Sequence, residues 1–304
     1  MKEVDKLEIG LIGLGKMGYN LGLNLTEKNY KVHAFDVDEN MVKKLENTGI
    51  KPFNTLEELV YSLQKPCVIW LMVPSGETTD KVINSIVPYL QQDDVLIDGG
   101  NSNYKDTVRR NKNLKQHNIH FLDVGTSGGK DGARNGACTM IGGEKEIFER
   151  VRHLFEDIST KDGYLYTGKS GSGHYLKMVH NAIEYGMMQS IAEGFELLYK
   201  SEYEYDFEKV SKVWNNGSVI RSWLMELTES AFMENKHLEG IKGVMHSSGE
   251  GKWAAETALD LKVPTPVLTL SLIMRYRSLE ENTFSGKVVA SLRNKFGGHH
   301  VEKE

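Results

Sequence analysis

The chain has 304 residues, 39% hydrophobic and 26% charged, with a formal net charge of −5. That is enough apolar chain for one large domain or two ordinary ones with real cores, and the charge excludes a general nucleic-acid binder, whose grip on phosphates needs a concentrated basic surface. The first eight residues mix Lys, Glu and Asp where a signal peptide carries an apolar core, and no run of about 18 apolar residues occurs, so no membrane partner and a cytoplasmic location are expected.

From Glu8 to about Tyr166, short β-type runs alternate with helical stretches, the pattern of an α/β Rossmann-type, doubly wound parallel sheet. Strands are predicted at Glu8–Ile12, Lys31–Phe35, 67–72, Val95–Asp98, 120–123 and 139–141, with helices at 17–28, 40–47, 79–90 and Tyr104–Lys115 between them. Cys67 and Cys138 each sit in an apolar strand-like run and read as buried free thiols rather than a disulfide. After a loop at 167–173 the character changes. Long helical patterns such as 175–200 follow one another without a strand, so an all-α C-terminal domain over 174–304 is expected behind a dinucleotide-binding domain over 1–173. The apolar stretch 266–279 is too short to span a bilayer and reads as a buried core helix.

Gly13-Leu14-Gly15-Lys16-Met17-Gly18 follows the first strand directly and opens a helix, the context that makes G-x-G-x-x-G a dinucleotide fingerprint rather than a flexible turn. Gly13 permits the tight turn, Gly15 admits a pyrophosphate, and Gly18 lets the helix pack on the strand. Free N–H groups, including those of Leu14 and Met17, are left at the positive helix end. Asp36 ends the second strand, where a carboxylate accepts hydrogen bonds from the adenosine ribose hydroxyls. A 2′-phosphate would meet its charge, a repulsion of up to about 4 kcal/mol at ~4 Å and an effective dielectric near 20. NAD is therefore expected over NADP. Val73 and Asn101 follow two further strands at their carboxyl ends, the edge where open α/β sheets bind ligands.

Lys177, His180, Asn181, Glu184 and Tyr185 recur at i, i+3, i+4, i+7 and i+8, so a helix puts all five on one face. Val179, Ala182 and Ile183 flank them, which favours a walled-in polar stripe over a solvated one. Burial brings a lysine toward neutrality, so Lys177 suits a general base and Glu184, in the same surroundings, a general acid. His180 and Glu184 lack a third ligand at a persuasive spacing, so no metal is expected. Ser127-Gly128-Gly129 opens a glycine-rich loop whose N–H groups and hydroxyl suit a carboxylate.

With these residues in view, the chain resembles the short-chain, NAD-preferring 6-phosphogluconate dehydrogenases of the β-hydroxyacid dehydrogenase superfamily. The resemblance runs through Gly13–Gly18, Asp98-Gly99-Gly100-Asn101-Ser102, Ser127–Gly129, the run 179–186 and Gly251-Lys252-Trp253. It implies oxidative decarboxylation of 6-phosphogluconate to ribulose 5-phosphate, a step of pentose phosphate or gluconate metabolism, in a homodimer or homotetramer. It further implies that Lys177 is the base and Glu184 the acid. Asn101, Ser127, Gly128, Gly129, His180 and Asn181 would hold the sugar acid, and Tyr185, Arg275, Arg293 and His299 its phosphate. Two departures stand out: Asp36-Val37-Asp38 replaces the neutral and basic run of NADP-dependent members, and Ser248 stands where long-chain members place a phosphate-binding lysine. The rival is another β-hydroxyacid dehydrogenase, of the 3-hydroxyisobutyrate or tartronate semialdehyde type, which has no phosphate to bind. A dinucleotide-binding sensor without chemistry would leave Lys177 and Glu184 unexplained.

Overall fold

A computed structural model of the chain describes residues 7–303; residues 1–6, on which the signal-peptide reading largely falls, lie outside them. The strands are β1 (Glu8–Ile12), β2 (Lys31–Phe35), β3 (Lys51–Pro52), β4 (Val68–Leu71), β5 (Val95–Asp98), β6 (His120–Ser127), β7 (Ala137–Gly142) and β8 (Ser159–Gly168). Between them run α1 (Lys16–Glu27), α2 (Glu39–Lys43), α3 (Leu56–Tyr61), α4 (Glu77–Ile86), α5 (Tyr104–Lys115), α6 (Gly129–Asn135) and α7 (Lys145–Ile158). Only helices follow: α8 (Ser172–Lys200), α9 (Phe207–Asn215), α10 (Trp223–Glu234), α11 (Gly249–Asp260), α12 (Pro266–Arg277) and α13 (Phe284–Gly297). The chain divides between His180 and Asn181 into two compact units.

In the first unit the eight strands form one sheet in the order β3-β2-β1-β4-β5-β6-β7-β8. The period-2 alternation of strand side chains builds a core on each face. Ile9, Leu11, Trp70, Val95 and Ile97 point to one side, under Leu21 and Leu25 of α1 and Val151, Leu154 and Phe155 of α7. Ile12, Ile69, Leu71 and Leu96 point to the other, under Leu59 and Val60 of α3, Ile83 and Ile86 of α4 and Leu114 of α5.

The sheet is parallel as expected except at one pairing: β7 runs antiparallel to β6, and β8 parallel to β7. This reversal carries the site. Asp123 of β6 pairs with Asp98 at the end of β5 and with Gly142 at the end of β7, and Gly142 pairs with Gly168 at the end of β8. The chain therefore leaves the sheet level with the carboxyl ends of the parallel strands, and α8 begins there. β8 escapes sequence reading because its first half is polar; register shifts against β7 hold Lys161, Asp162 and Gly163 out of regular pairing. Cys67 is buried as expected, its thiol pushed up to about 12 by burial and then by the Asp94 carboxylate. Cys138 is exposed, against expectation: it is the one outward position of a strand that is otherwise buried.

In the second unit a small core of Phe195, Met225 and Phe232 gathers Ile191, Phe207, Val210 and Trp214 from α8, α9 and α10. The reading of 266–279 as a buried core helix is overturned. Within the single chain α12 buries only Ser271 and Leu272, while Val267, Leu270 and Ile273 are about half exposed or more. Apolar sequence predicts that a helix needs cover, not that its own chain supplies it.

α8 meets the sheet at glycines. A methyl group on Gly125 would overlap Cβ of Lys177, and one on Gly173 would overlap the carbonyl of Met140. Gly125→Ala is expected to destabilise the chain by about 1–3 kcal/mol, the usual cost of overpacking, read as a lowered midpoint of urea unfolding with an unchanged slope; an unaltered midpoint would mean that α8 yields freely.

Candidate active site

The turn from β1 into α1 has the geometry its glycines foretell. Gly13 takes φ +97°, and a Cβ on it would sit 2.5 Å from the Met72 carbonyl oxygen, while a Cβ on Gly18 would overlap the Gly13 carbonyl. Around Gly15 there is open space. The α1 N-terminus has no side-chain cap and no acid in its first turn, so the N–H groups at Met17 and its neighbours are open to an anion. The residues fit a dinucleotide pyrophosphate: room where Gly15 needs it, close packing where Gly13 and Gly18 need it. Asp36 lies against the same turn, accepting from the N–H groups of Leu14 at 2.5 Å and Asp38 at 2.8 Å. Each oxygen keeps a second lone pair for a ribose hydroxyl.

Val73 follows β4 and packs its Cγ1 beside Gly13, while its carbonyl crowds Gly100 after β5. Asn101, with φ +53°, ties this second loop to β6: Thr126 N donates to its Oδ1 at 3.0 Å and its Nδ2 donates to Thr126 O at 3.3 Å. Thus the loops after β1, β4, β5 and β6 adjoin at one edge of the sheet.

Lys177 sits in the first part of α8 and is buried, with 5% of its surface exposed. Its Nζ is 3.4 Å from Nδ1 of His180, whose Nε2 is 3.2 Å from Oγ of Ser127. An ammonium can only donate, so a protonated Lys177 makes Nδ1 the acceptor and leaves Nε2–H to donate to Ser127. Gly128 and Gly129 follow at φ +115° and +58°, left-handed conformations that glycine adopts without a Cβ clash. Sequence spacing joins Lys177 to His180; their link to Ser127, 53 residues from His180, is a product of the fold.

In the second unit, Asn181, Glu184 and Tyr185 continue α8 at the spacing expected. Tyr185 is buried; its hydroxyl accepts from Ser248 N at 2.9 Å and pairs with Ser248 Oγ at 2.9 Å. The Arg275 guanidinium stacks 3.5 Å above the Tyr185 ring and donates to His246 O at 3.0 Å. Ser248 thus occupies the place beside Tyr185 and Arg275. Arg293 and His299 are exposed on and after α13, a helix that buries none of its residues, and the His299 ring packs on Phe296 of the same segment. The single chain does not hold them to Tyr185.

Sequence reading misses a buried polar network behind these loops. Asp98 accepts from Gly100 N at 3.0 Å, Ser102 Oγ at 2.7 Å and Arg110 Nη1 at 3.3 Å. Asp123 accepts from Gly171 N at 2.7 Å and His174 N at 2.9 Å. The His174 ring bridges Asp98 O at 3.1 Å and Thr107 Oγ1 at 2.7 Å; a carbonyl only accepts, so Nε2 carries a hydrogen, and in the neutral ring Nδ1 accepts from the threonine hydroxyl. The available signal is an acid that ends β5 and an acid set among the apolar residues of β6.

Two family models match the chain: the NAD binding domain of 6-phosphogluconate dehydrogenase over residues 8–168, and the 6-phosphogluconate dehydrogenase C-terminal domain over 173–303. The chain is 54% identical over 298 residues to YqeC of Bacillus subtilis, covering 98% of this chain and 100% of that one. It is 39% identical over 300 residues to the NAD(+)-dependent, decarboxylating 6-phosphogluconate dehydrogenase of Haloferax volcanii, covering 98% and 99%. Among solved structures it is similar to the 6-phosphogluconate dehydrogenase of Plasmodium falciparum, determined with NADP+ and with 6-phosphogluconate, at TM-score 0.82 and 31% identity. That match takes in 98% of this chain and 66% of the Plasmodium chain.

Asp80 of α4 supports the network from outside. Burial works to raise its pKa, but hydrogen bonds from Arg110 and Arg109 outweigh it and hold the carboxyl below the usual range. A depressed carboxylate contributes stability above its unfolded pKa and loses it as pH falls through the folded value. Asp80→Asn is expected to cost about 1–2 kcal/mol at pH 7. In paired thermal melts the gap to the parent should narrow below about pH 4; a gap independent of pH would remove the charge from the account.

Proposed function

Because the chain belongs to the 6-phosphogluconate dehydrogenase family, we propose that it oxidises 6-phosphogluconate and decarboxylates it to ribulose 5-phosphate, with NAD as the preferred cofactor. The observation that carries the reading is Lys177, a buried lysine joined through His180 to Ser127 at the edge where the dinucleotide turn lies. We take residues 1–173 as the dinucleotide-binding domain and 174–304 as the helical substrate and dimerisation domain. A cytoplasmic location accords with a phosphorylated substrate and a diffusible cofactor; among the described residues no helix is long and apolar enough to cross a membrane.

Lys177, neutral when substrate binds, removes the proton of the 3-hydroxyl. Bound NAD supplies the hydride acceptor. The protonated Lys177 then polarises the 3-keto oxygen while the β-keto acid loses carbon dioxide, so one side chain serves as base and then as acid. Glu184, seven residues on along the same helix face, protonates the carbon of the resulting enediol. Ser127, Gly128 and Gly129 receive the carboxylate, and Asn101, His180 and Asn181 the hydroxyls. Tyr185, Ser248 and Arg275 form the phosphate end, Ser248 offering a hydroxyl where long-chain members use a lysine. NAD is favoured because Asp36 presents carboxylate oxygens to the ribose side of the turn; relatives of this family use either cofactor, so the preference rests on this residue.

With 6-phosphogluconate, NAD should be reduced with a higher kcat/KM than NADP and with one carbon dioxide released per turnover. Lys177→Ala should abolish turnover while leaving NAD binding by calorimetry intact. No turnover with 6-phosphogluconate would point to an unphosphorylated β-hydroxy acid instead, and equal use of both cofactors would remove Asp36 from the argument.

A homodimer, or a tetramer built from dimers, is the second element of the reading. Leu270 and Ile273 of α12 and Phe284, Leu292 and Phe296 of α13 expose apolar surface, and α8, α9 and α10 frame an apolar hollow of about 600 Å³ beside Phe195, Leu227 and Phe232. Exposed apolar surface of this kind marks sites that a partner covers. Arg293 and His299 would then serve the partner's phosphate end. Sedimentation at micromolar concentration should give at least twice the monomer mass, and Leu292→Asp should shift it toward one chain; a monomeric parent protein would overturn this.

A further inference from the structure

The side chain of Arg110 is almost fully buried on α5, yet it belongs to neither the cofactor turn nor the substrate set. Its donors all go to the two loops and their flanking elements. Nε donates to Asp80 Oδ1 of α4 at 2.8 Å, and Nη2 donates to the Gly76 carbonyl, in the loop after β4, at 2.9 Å. Nη1 donates to Ser102 Oγ, in the loop after β5, at 2.9 Å and to the Asp98 carboxylate at 3.3 Å. One planar guanidinium therefore spans the loop that carries Val73 and the loop that carries Asn101. Lysine could not do the same, since a single ammonium lacks the fork that reaches several acceptors in fixed directions.

One turn earlier on the same face, Thr107 holds Nδ1 of His174, and the other ring nitrogen of that histidine binds the carbonyl of Asp98. His174 lies three residues before Lys177 on α8. Asp98 is thus the shared point: its carboxylate receives Arg110, and its carbonyl receives the helix that bears Lys177.

We propose that Arg110 is a positioning residue for hydride transfer: by clamping the loops after β4 and β5 to Asp98, it fixes the distance between the cofactor edge at Val73 and the substrate held at Asn101. The catalytic part of this rests on the function proposed above. Displacements of about 1 Å in such an arrangement cost as much as a hundredfold in rate, whereas pyrophosphate binding at α1 lies outside the clamp.

The test uses full-length Arg110→Lys, which keeps a cation beside Asp98, with Asp80→Asn as a milder variant that frees Arg110 from α4 alone. With 6-phosphogluconate carrying deuterium at C3, Arg110→Lys should lower kcat at least tenfold and raise the primary isotope effect on kcat. The Kd for NAD should stay within about threefold of the parent, and Asp80→Asn should move in the same direction by less. Hydrogen exchange provides a readout independent of turnover: amides at 73–76 and 99–102 should both exchange faster in Arg110→Lys. If melting temperature falls but kcat per folded site and the isotope effect match the parent, Arg110 is structural only and the proposal fails. Faster exchange in one loop alone would also overturn it. An inactive parent whose two loops still loosen together would count against the proposed reaction and not against the clamp.

Discussion

The carboxylate of Asp123 accepts the backbone N–H groups of Gly171 and His174, and these two bonds decide where α8 begins. A carboxylate buried midway along β6 is tolerable only when its oxygens are satisfied. The first turn of a helix has N–H groups without partners and a positive dipole end, so each supplies what the other lacks. The fit requires close approach, and Gly125, Gly142 and Gly173 provide it by having nothing to put in the way. Once the first turn is fixed, Lys177 follows one turn later, within reach of His180 and buried against the sheet. The antiparallel reversal at β7 is the topological half of the same constraint, since it returns the chain to the level of Asp98 before the helix starts.

The two units solve their apolar balance differently. In the first, helices cover both faces of the sheet, and residues such as Ile9, Trp70 and Leu96 have essentially no exposure. In the second, the core of Phe195, Met225 and Phe232 is small, and long apolar side chains on α12 and α13 find no cover in the same chain.

How far the sequence can be read depends on the range of the interaction concerned. Gly13, Gly15 and Gly18 are legible because their purpose is local: a turn, an opening and a close approach within six residues. The stripe Lys177, His180, Glu184 is legible for the same reason, helical periodicity being a short-range rule. The bond from His180 to Ser127, and those from Arg110 to Gly76 and Asp98, join residues brought together only by the order of strands in the sheet. Asp98 and Asp123 signal themselves as acids ending or set among apolar residues, but nothing in one sequence names their partners. Cys138 and the 266–279 helix mislead for a shared reason: apolar neighbours record a tendency to be covered and not which surface does the covering. β8 is hidden by the polar residues in its irregular half.

The placement of Asp36 has a consequence for how such a protein diverges. In the sheet, β1 and β4 stand between β2, which delivers Asp36, and β5, which delivers Asp98. Asp36 bonds to the N–H groups of Leu14 and Asp38 in its own neighbourhood, and neither is a partner of the clamp around Arg110. Substitutions at well-separated sites with no shared partners act additively. If Asp36 selects the cofactor, a lineage can exchange one nicotinamide dinucleotide for the other at β2 while the geometry for the chemistry stays under separate selection at β5 and α5. Coenzyme identity becomes a trait that drifts with metabolic supply, and the reaction itself is inherited intact.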